Sequence, residues 1–397
     1  MSHKKIVLGI TGGVAAYKSA ELTRLLVKAG YQVHVVMTEA ATHFVGAVTF
    51  QALSGHPVFV DQWDARMPNN MAHIDLTRGA AAVLIAPASA DMLAKIAQGH
   101  CDDLLSTLVA ARTCPLLVAP AMNKQMWENA PNQRNVAQLR ADGVAILGPG
   151  AGEQACGEVG DGRMLEAAQI FELLEASLQP KRLLGKRVLL TAGPTFERID
   201  AVRGITNSSS GKMGYAIARA AYEAGAEVVL VSGETALSTP IGTRRINVLS
   251  AQQMLTAVEA EVAAADIFIA VAAVADYYVL NPSEQKIKKD AHILTLELAP
   301  NPDILANMTA KANPPFCVGF AAESENLLEY AEAKRKRKKL PLLAANLVQT
   351  AMGHDDNEIV LLDDSGETRL ARAPKIDIAR KLIAHIARLY DAAQLEK

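Results

Sequence analysis

Short apolar bursts, separated by segments of helical spacing, set the pattern of this chain. Ile6–Ile10, Gln32–Met37, Ala81–Ala86 and Leu116–Ala119 read as buried strands. Between the first two, Ala15–Ala29 keeps Leu22, Leu25 and Leu26 on one side, which predicts a helix, and Gly30 predicts its left-handed cap. The third and fourth bursts run into prolines, in APAS and APAM. Proline cannot donate to a central ladder, so both strands are expected to stop there. Met164–Leu178 predicts a closing helix, and Gln179–Leu184 a basic junction.

The pattern then starts again. Lys4–Gly13 reads KKIVLGITGG and Gly185–Pro194 reads GKRVLLTAGP. Each is a basic start, an apolar strand, then Thr with small or turn residues. Strands are expected at Arg187–Thr191, Ala226–Val231, Asp266–Ala273, Cys317–Phe320, Leu342–Ala345 and Glu358–Leu362. Helices are expected at Met213–Ala224, Ala251–Ala264, Asn326–Lys338 and Lys375–Leu389. Such alternation predicts an α/β protein with open, mostly parallel sheets and helices on both faces. Two openings predict two three-layer domains, placed at 1–180 and 181–397. Ligands of such sheets sit beyond the carboxyl ends of the strands. That rule selects the loops after residues 10, 37, 86, 119, 191, 231, 273 and 320.

Composition narrows the class. At 397 residues and 50% hydrophobic, the chain can bury two cores without disulfides. Its net charge of -2 supplies no global field for nucleic acid. No apolar run reaches membrane-spanning length, and Asp266 interrupts the pattern near Ala263–Ala275. The cysteines at 101, 114, 156 and 317 form no CxxC and no secreted framework, so a reducing cytoplasm is expected.

Candidate chemistry follows from the selected loops. Thr11–Lys18, TGGVAAYK, puts Gly12 and Gly13 at a strand-to-helix turn, where exposed N–H groups can hold phosphate. It is neither GxGxxG nor a Walker loop, and a tight structural turn fits equally. Thr38 and Ser89 place hydroxyls at strand exits, and Ser89 is also a natural helix N-cap. His73 in MAHIDL offers a base near neutral pH, against the commoner structural histidine. Asn123 in PAMN could hold a carboxylate or cap a helix. Cys156 lies in the glycine-rich ACGEVGDGRM, suited to a moving flap or to no role. In the second half, Ile205–Gly214 can form an anion nest around Asn207, or a capped loop. Asp276 stands just beyond an apolar strand, before EQKIKKD with Lys286. The basic run Lys334–Lys339 ends a helix, where the dipole favours cations.

In this order and spacing, GGVAAYK, HIDL, PASA, PAMN and ACGEVGDGRM resemble the flavin-dependent decarboxylases of peptidyl-cysteine and phosphopantothenoylcysteine. The second half resembles the phosphopantothenate–cysteine ligases, so almost the whole chain is similar to the bifunctional family. The resemblance implies a flavodoxin-like/Rossmann-like decarboxylase followed by a Rossmann-like ligase. It implies FMN held by Gly12, Gly13, Thr38, Pro87, Ala88, Ser89 and Ala90. His73 would be a base, Asn123 would bind the substrate carboxylate and Cys156 would be the acid on the flap. In the ligase, Asn207 would turn over an acyl-nucleotide and Arg203 would bind substrate phosphate. CTP would meet Ala272, Ala273, Asp276, Lys286, Asn301, Pro302, Asp303, Ile304, Phe320, Lys334 and Lys338. Mg2+ would be held mainly through the CTP phosphates. The implied reactants are 4'-phosphopantothenate, L-cysteine, CTP and phosphopantothenoylcysteine, with no nucleic-acid or membrane partner and a homo-oligomer, a dodecamer.

Three rivals make different demands. An NAD(P)-dependent oxidoreductase would need a dinucleotide fingerprint, which is missing. A nucleotide- or nucleic-acid-binding protein led by Lys334–Lys339 would show salt-sensitive polynucleotide binding. A flavin decarboxylase fused to a degenerate domain conflicts with the retention of Asn207, Asp276 and Lys286.

Overall fold

The computed structural model describes residues 4–64, 66, 71–155, 157–289, 293–323, 325–347 and 353–395. The chain divides between Leu178 and Gln179 into two compact units. No described helix is long and apolar enough to cross a membrane.

The first unit alternates strand and helix. In chain order it holds β1 (Lys5–Ile10), α1 (Lys18–Lys28), β2 (Gln32–Met37), α2 (Glu39–Thr42), α3 (Ala47–Ser54) and α4 (Ala72–Thr77). Then come β3 (Ala80–Ala88), α5 (Ala90–Gln98), α6 (Leu104–Ala111), β4 (Leu116–Pro120), α7 (Lys124–Glu128) and α8 (Ala130–Ala141). Next are β5 (Ala145–Ile146), the antiparallel pair β6 (Gly150–Glu153) and β7 (Val159–Arg163), and α9 (Ala167–Leu178). The main sheet is parallel, in the order β2-β1-β3-β4-β5. That is the flavodoxin-like order, with its switch point between β1 and β3.

Strand alternation makes this a three-layer unit. Ile6, Leu8 and Ile10 pack with Leu22 and Leu26 of α1 and with Ile170 and Leu174 of α9. Val7, Val83 and Ile85 meet Met92 and Leu93 of α5, Leu105 of α6 and Val136 of α8 on the other face. Both faces of the central strands β1, β3 and β4 are thus dry, which is why these strands read as continuous apolar bursts.

The second unit contains β8 (Arg187–Ala192), β9 (Phe196–Arg198), β10 (Gly204–Thr206), α10 (Lys212–Glu223), β11 (Glu227–Ser232) and β12 (Thr243–Asn247). It continues with α11 (Ala251–Val262), β13 (Ile267–Ala270), β14 (Tyr277–Val279), β15 (Leu298–Pro300), α12 (Ile304–Thr309) and β16 (Phe316–Glu323). It ends with α13 (Leu327–Arg337), β17 (Leu342–Leu347), β18 (Asp356–Asp363), β19 (Gly366–Pro374) and α14 (Lys375–Leu395). The sheet order is β12-β11-β8-β13-β16-β17-β18-β19. Its first six strands are parallel and follow the Rossmann order, with the switch point between β8 and β13. β18 and β19 add an antiparallel edge. Helices α10 and α14 cover one face, and α11, α12 and α13 the other.

Local departures from the sequence pattern have physical causes. Helix α1 begins at Lys18, because Val14–Tyr17 forms a tighter 3-10 turn leaving the glycine loop. Strand β3 continues through Pro87 to Ala88, with a register irregularity after Ile85 and a cis Ala86–Pro87 bond. Its proline is accommodated where the ladder is already broken, rather than ending the strand. The closing helix starts at Ala167; Met164 before it is buried in the core and Leu165 packs against that core.

Close loop packing in the second unit yields a prediction. A Cβ on Gly233 would lie 1.8 Å from the Pro194 carbonyl oxygen. Backbone cannot yield as a flexible side chain would, so Gly233→Ala should cost about 1–3 kcal/mol. Calorimetry should show the second unit melting lower by roughly 2–4 °C per kcal/mol. An unchanged transition would show that the two loops are not in forced contact.

Candidate functional site

In the first unit, Thr11 closes the switch point. Its buried hydroxyl donates to Pro87 O at 2.8 Å and accepts from Ser89 N at 2.9 Å. The loop after β1 is thereby locked to the loop after β3. Ser89 Oγ accepts from Met92 N at 3.2 Å and caps α5, while Asn123 Oδ1 accepts from Met126 N at 3.0 Å and caps α7. Asn123 Nδ2 donates to Gln125 Oε1 at 2.9 Å. Capping orients these side chains without burying them, so the cap and ligand readings are compatible.

A cavity of about 650 Å3 opens between these loops. Gly12, Gly13, Ser89, Ala90 and Asn123 are on its wall. Thr38, Pro87, Ala88 and His73 are not. Thr38 spends its hydroxyl capping α2, accepting from Ala41 N at 3.2 Å. Pro87 and Ala88 are buried within the end of β3. His73 lies half-buried on α4, away from this wall. Cys156 lies outside the described residues, although its neighbour Ala155 lines the cavity.

The β6–β7 hairpin covers one side of the cavity. Met122 N donates to Gly162 O at 3.0 Å, and Lys124 N donates to Gln154 Oε1 at 2.9 Å. Gly162, with φ +136°, permits the approach: a Cβ there would lie 2.4 Å from Met122 O. Lys18 and Arg163 also line the wall, and the sequence reading passed over both. Lys18 Nζ donates to Met164 O at 3.0 Å and pairs with Glu166 at 2.6 Å. Its place at the end of GGVAAYK, one helical turn into the cavity-facing segment, was the available signal.

The cavity fits a flavin mononucleotide in its size and its chemistry. Pockets for such ligands run to ~300–1,000 Å3 and are mostly apolar with a few placed polar groups. Small residues at 12, 13 and 90 leave backbone approachable, as a phosphate-bearing ligand requires.

In the second unit, Thr191 at the end of β8 accepts from Val271 N at 3.3 Å and Ala272 N at 3.2 Å. Thr195 Oγ1 accepts from Ala275 N at 3.0 Å. Asn207 Nδ2 donates to Ala273 O at 2.9 Å, so Asn207 meets the loop after β13 directly. Asn301 continues the line, donating its backbone N–H to Asp276 O at 2.8 Å and its side-chain amide to Ala275 O at 2.9 Å. Asp303 caps α12 and pairs with Lys338 at 2.5 Å. Lys334 Nζ donates to Phe320 O at 3.0 Å. These residues form a rim in which Asn207, Ala272, Ala273, Asp276 and Asn301 lie in or against the loop after β13, while the Asp303–Lys338 and Phe320–Lys334 contacts link α12 and β16 to α13. Pro302 and Ile304 flank Asp303 within it, and Ile304 is buried.

The charges on this rim are unequal. Burial and then the Lys338 cation lower the Lys334 pKa below the usual lysine range. Burial opposes ionisation of Asp303, but the Lys338 ammonium and the Ala306 N–H outweigh it and hold its carboxyl low. Lys286 is exposed, while Arg203 bonds Asp200 at 3.2 Å and the Ile287 carbonyl at 2.5 Å. Among the described residues no group of His, Cys, Asp or Glu side chains could hold a metal ion.

Comparison with known proteins assigns both halves. The family described as Flavoprotein matches residues 1–179, and the family described as DNA/pantothenate metabolism flavoprotein C-terminal domain matches residues 183–390. The coenzyme A biosynthesis bifunctional protein CoaBC of Vibrio vulnificus is 49% identical over 395 residues, covering 98% of each chain. The chain belongs to the bifunctional coenzyme A biosynthesis proteins. Its Escherichia coli relative of the same description is 44% identical, again over 98% of each chain. A crystal structure of the C-terminal domain of such a CoaBC protein is 38% identical, spans 53% of this chain and 99% of that one, and gives a TM-score of 0.47.

Membership makes this a bifunctional phosphopantothenoylcysteine decarboxylase and phosphopantothenate–cysteine ligase with an FMN-binding flavoprotein domain. The oxidoreductase, nucleic-acid-binding and degenerate-domain readings are set aside by relatives of the bifunctional description that match 98% of the chain.

Two predictions follow. A Cβ on Gly12 would lie 2.6 Å from Ala40 Cβ and 3.1 Å from its backbone carbon. Gly12→Ala should displace the glycine loop and weaken flavin retention at least ~10-fold by misplacing the N–H groups. Flavin absorbance after gel filtration reads this, and full retention would remove Gly12 from the flavin cradle.

Lys334 has a depressed folded pKa, so its charged form destabilises the fold at neutral pH. That deficit is relieved as pH rises through the folded pKa toward the unfolded value near ~10.4. A bound polyanion should reverse the depression. Addition of inorganic triphosphate is therefore expected to raise the Lys334 pKa, read from NMR titration of the methylated amine. A pKa unmoved by saturating triphosphate would place the anion elsewhere.

Proposed function

We propose that the second unit activates 4'-phosphopantothenate with CTP and couples it to L-cysteine, and that the first unit decarboxylates the resulting phosphopantothenoylcysteine to 4'-phosphopantetheine. The observation that most supports this division is the convergence of Gly12–Gly13, Ser89–Ala90 and Asn123 on one cavity, beside a hairpin that leads to Cys156.

In the ligation, a carboxylate oxygen of 4'-phosphopantothenate attacks the α-phosphorus of CTP and pyrophosphate leaves. The cysteine amine then attacks the acyl carbon of the mixed anhydride, and CMP leaves as the amide forms. A free carboxylate offers no comparable leaving group. Lys286 neutralises the departing pyrophosphate, and Lys334 and Lys338 hold nucleotide phosphate. Asp276 reads or orients the nucleotide, with Phe320 against the base. Asn207 polarises the activated carbonyl from its position against Ala273. Arg203 faces the substrate phosphate. Mg2+ is carried by the CTP phosphates, in keeping with its preference for substrate oxygens over an all-protein cage.

In the decarboxylation, FMN when bound would supply a reversible two-electron acceptor for the cysteine C–S unit: it would take the electrons before CO2 leaves and return them after the carbon is protonated, so that the conversion to the thiol carries no net redox change. Asn123 holds the substrate carboxylate, donating from its amide. Cys156 protonates the carbon left behind. Thr38, Pro87 and Ala88 act from behind the wall, by shaping the strand ends that carry Gly12 and Ser89. His73, outside the wall of its own chain, serves as base in the cavity of a neighbouring copy within a homo-oligomer, a dodecamer.

The test supplies 4'-phosphopantothenate, cysteine, CTP and Mg2+ to the purified chain in one arm and phosphopantothenoylcysteine directly in a second, and separates products by mass, so that each activity is read independently of the other. Formation of phosphopantothenoylcysteine and then 4'-phosphopantetheine is expected. Cys156→Ser should reduce decarboxylation at least ~100-fold and leave amide synthesis within about 2-fold, whereas Asn207→Ala and Lys286→Ala should do the reverse. Loss of both activities by one of these changes in a folded, assembled protein would refute the division of labour.

A further inference from the structure

Asp200 is 1% exposed, although it lies in the otherwise open turn between β9 and β10. Its carboxylate accepts from Val202 N at 2.8 Å and Arg203 N at 2.9 Å through Oδ1, and from Ile287 N at 3.1 Å through Oδ2. The Arg203 guanidinium stands 3.2 Å from Oδ2 and also donates to Ile287 O at 2.5 Å. One peptide residue, Ile287, is therefore gripped at both its N–H and its carbonyl. A third bond, Ser283 N to Ile199 O at 3.0 Å, ties the preceding turn to the same place. Lys286 lies between these anchors, and its own ammonium is exposed.

A lysine on an open loop contributes little to a transition state unless its backbone is held. Immobilisation must be supplied in advance, or its entropy is lost at each turnover. A buried carboxylate accepting several N–H bonds remains ionised, and the Val202 N–H, foremost among them, holds the Asp200 carboxyl below its usual range. It is thus a permanent acceptor and the counter-charge of Arg203.

We propose that Asp200 is a positioning residue of the ligase: with Arg203, it docks the Ile287 peptide and so sets where the Lys286 ammonium meets the phosphates. This rests on the reading of Lys286 given above. It also gives Arg203 a second task beside substrate binding, as the clamp on the Ile287 carbonyl.

The test is a double-mutant cycle on the full chain with CTP, 4'-phosphopantothenate and cysteine. Asp200→Asn is expected to lower kcat/KM for CTP at least ~10-fold in the wild-type background and less than about 2-fold in the Lys286→Ala background. Equal losses in both backgrounds would overturn the proposal and leave Lys286 in its role. A fully active Lys286→Ala would overturn the Lys286 reading and this proposal with it. Ile287→Pro removes the N–H that Asp200 accepts while sparing the carboxylate and its bonds to Val202 and Arg203. It carries the same test should Asp200→Asn unfold, and it should reproduce the loss and the lack of additivity. Full CTP activity of Ile287→Pro would overturn the proposal.

Discussion

A buried threonine at the end of the first strand of each unit governs the geometry of both candidate sites. Thr11 bonds Pro87 and Ser89, and Thr191 bonds Val271 and Ala272. In each case the hydroxyl spans the switch point, where adjacent strands send their chains in opposite directions and leave backbone groups without ladder partners. Those groups would cost on the order of 1–3 kcal/mol each if left dry and unbonded. A side chain with both a donor and an acceptor satisfies them in Thr11, and one accepting hydroxyl does so in Thr191. In the first unit the hydrogen-bonded loops border the cavity of about 650 Å3, and in the second they fix the loop after β13 against β8.

The loops built on these pins solve different problems. In the flavoprotein unit, small residues and a covering hairpin enclose a cavity in which the polar groups are few and already oriented by capping. In the ligase unit, charge is the main resource. Lys334 is kept partly desolvated, Lys338 is balanced by Asp303, and Lys286 is left exposed on a docked segment. A partly buried lysine with a lowered pKa is a group whose charge is not compensated by the protein alone. A polyphosphate bound there would compensate it, coupling binding to relief of an unfavourable burial.

Much of this was legible along the chain. Buried parallel strands must be apolar on both faces, so β1, β2, β4, β8 and β11 stood out as continuous runs. The strand-end rule selects the loops that carry Gly12, Ser89, Asn123 and Asp276, and the small-residue segment Ile205–Gly214 singles out Asn207. Less legible were the elements whose residues lack a dry face. Strand β19, with its mostly exposed GETRLARAP, carries no apolar alternation and exists because β18 offers it an edge. Helix α4 is too short for periodicity to show. Pro87 looked like a strand terminator because its missing donor is a local fact, whereas the irregular ladder that tolerates it is a property of β3 and β4 together. Lys18 was hidden for a related reason: its partners, Met164 and Glu166, lie at the far end of the unit's sequence.

The sequence by itself determined that two α/β units follow one another, where their strands end and which family motifs those ends carry. These are consequences of local periodicity and turn chemistry, which act over a few residues. Tertiary structure alone decided which of the selected residues share a wall. It put Asn123 with Gly12 and left His73 apart, joined Asn207 to Ala273, and buried Asp200 beneath the segment of Lys286. Such pairings join residues far apart in the chain. They depend on strand order and loop packing, and no local pattern encodes the distance between two loops.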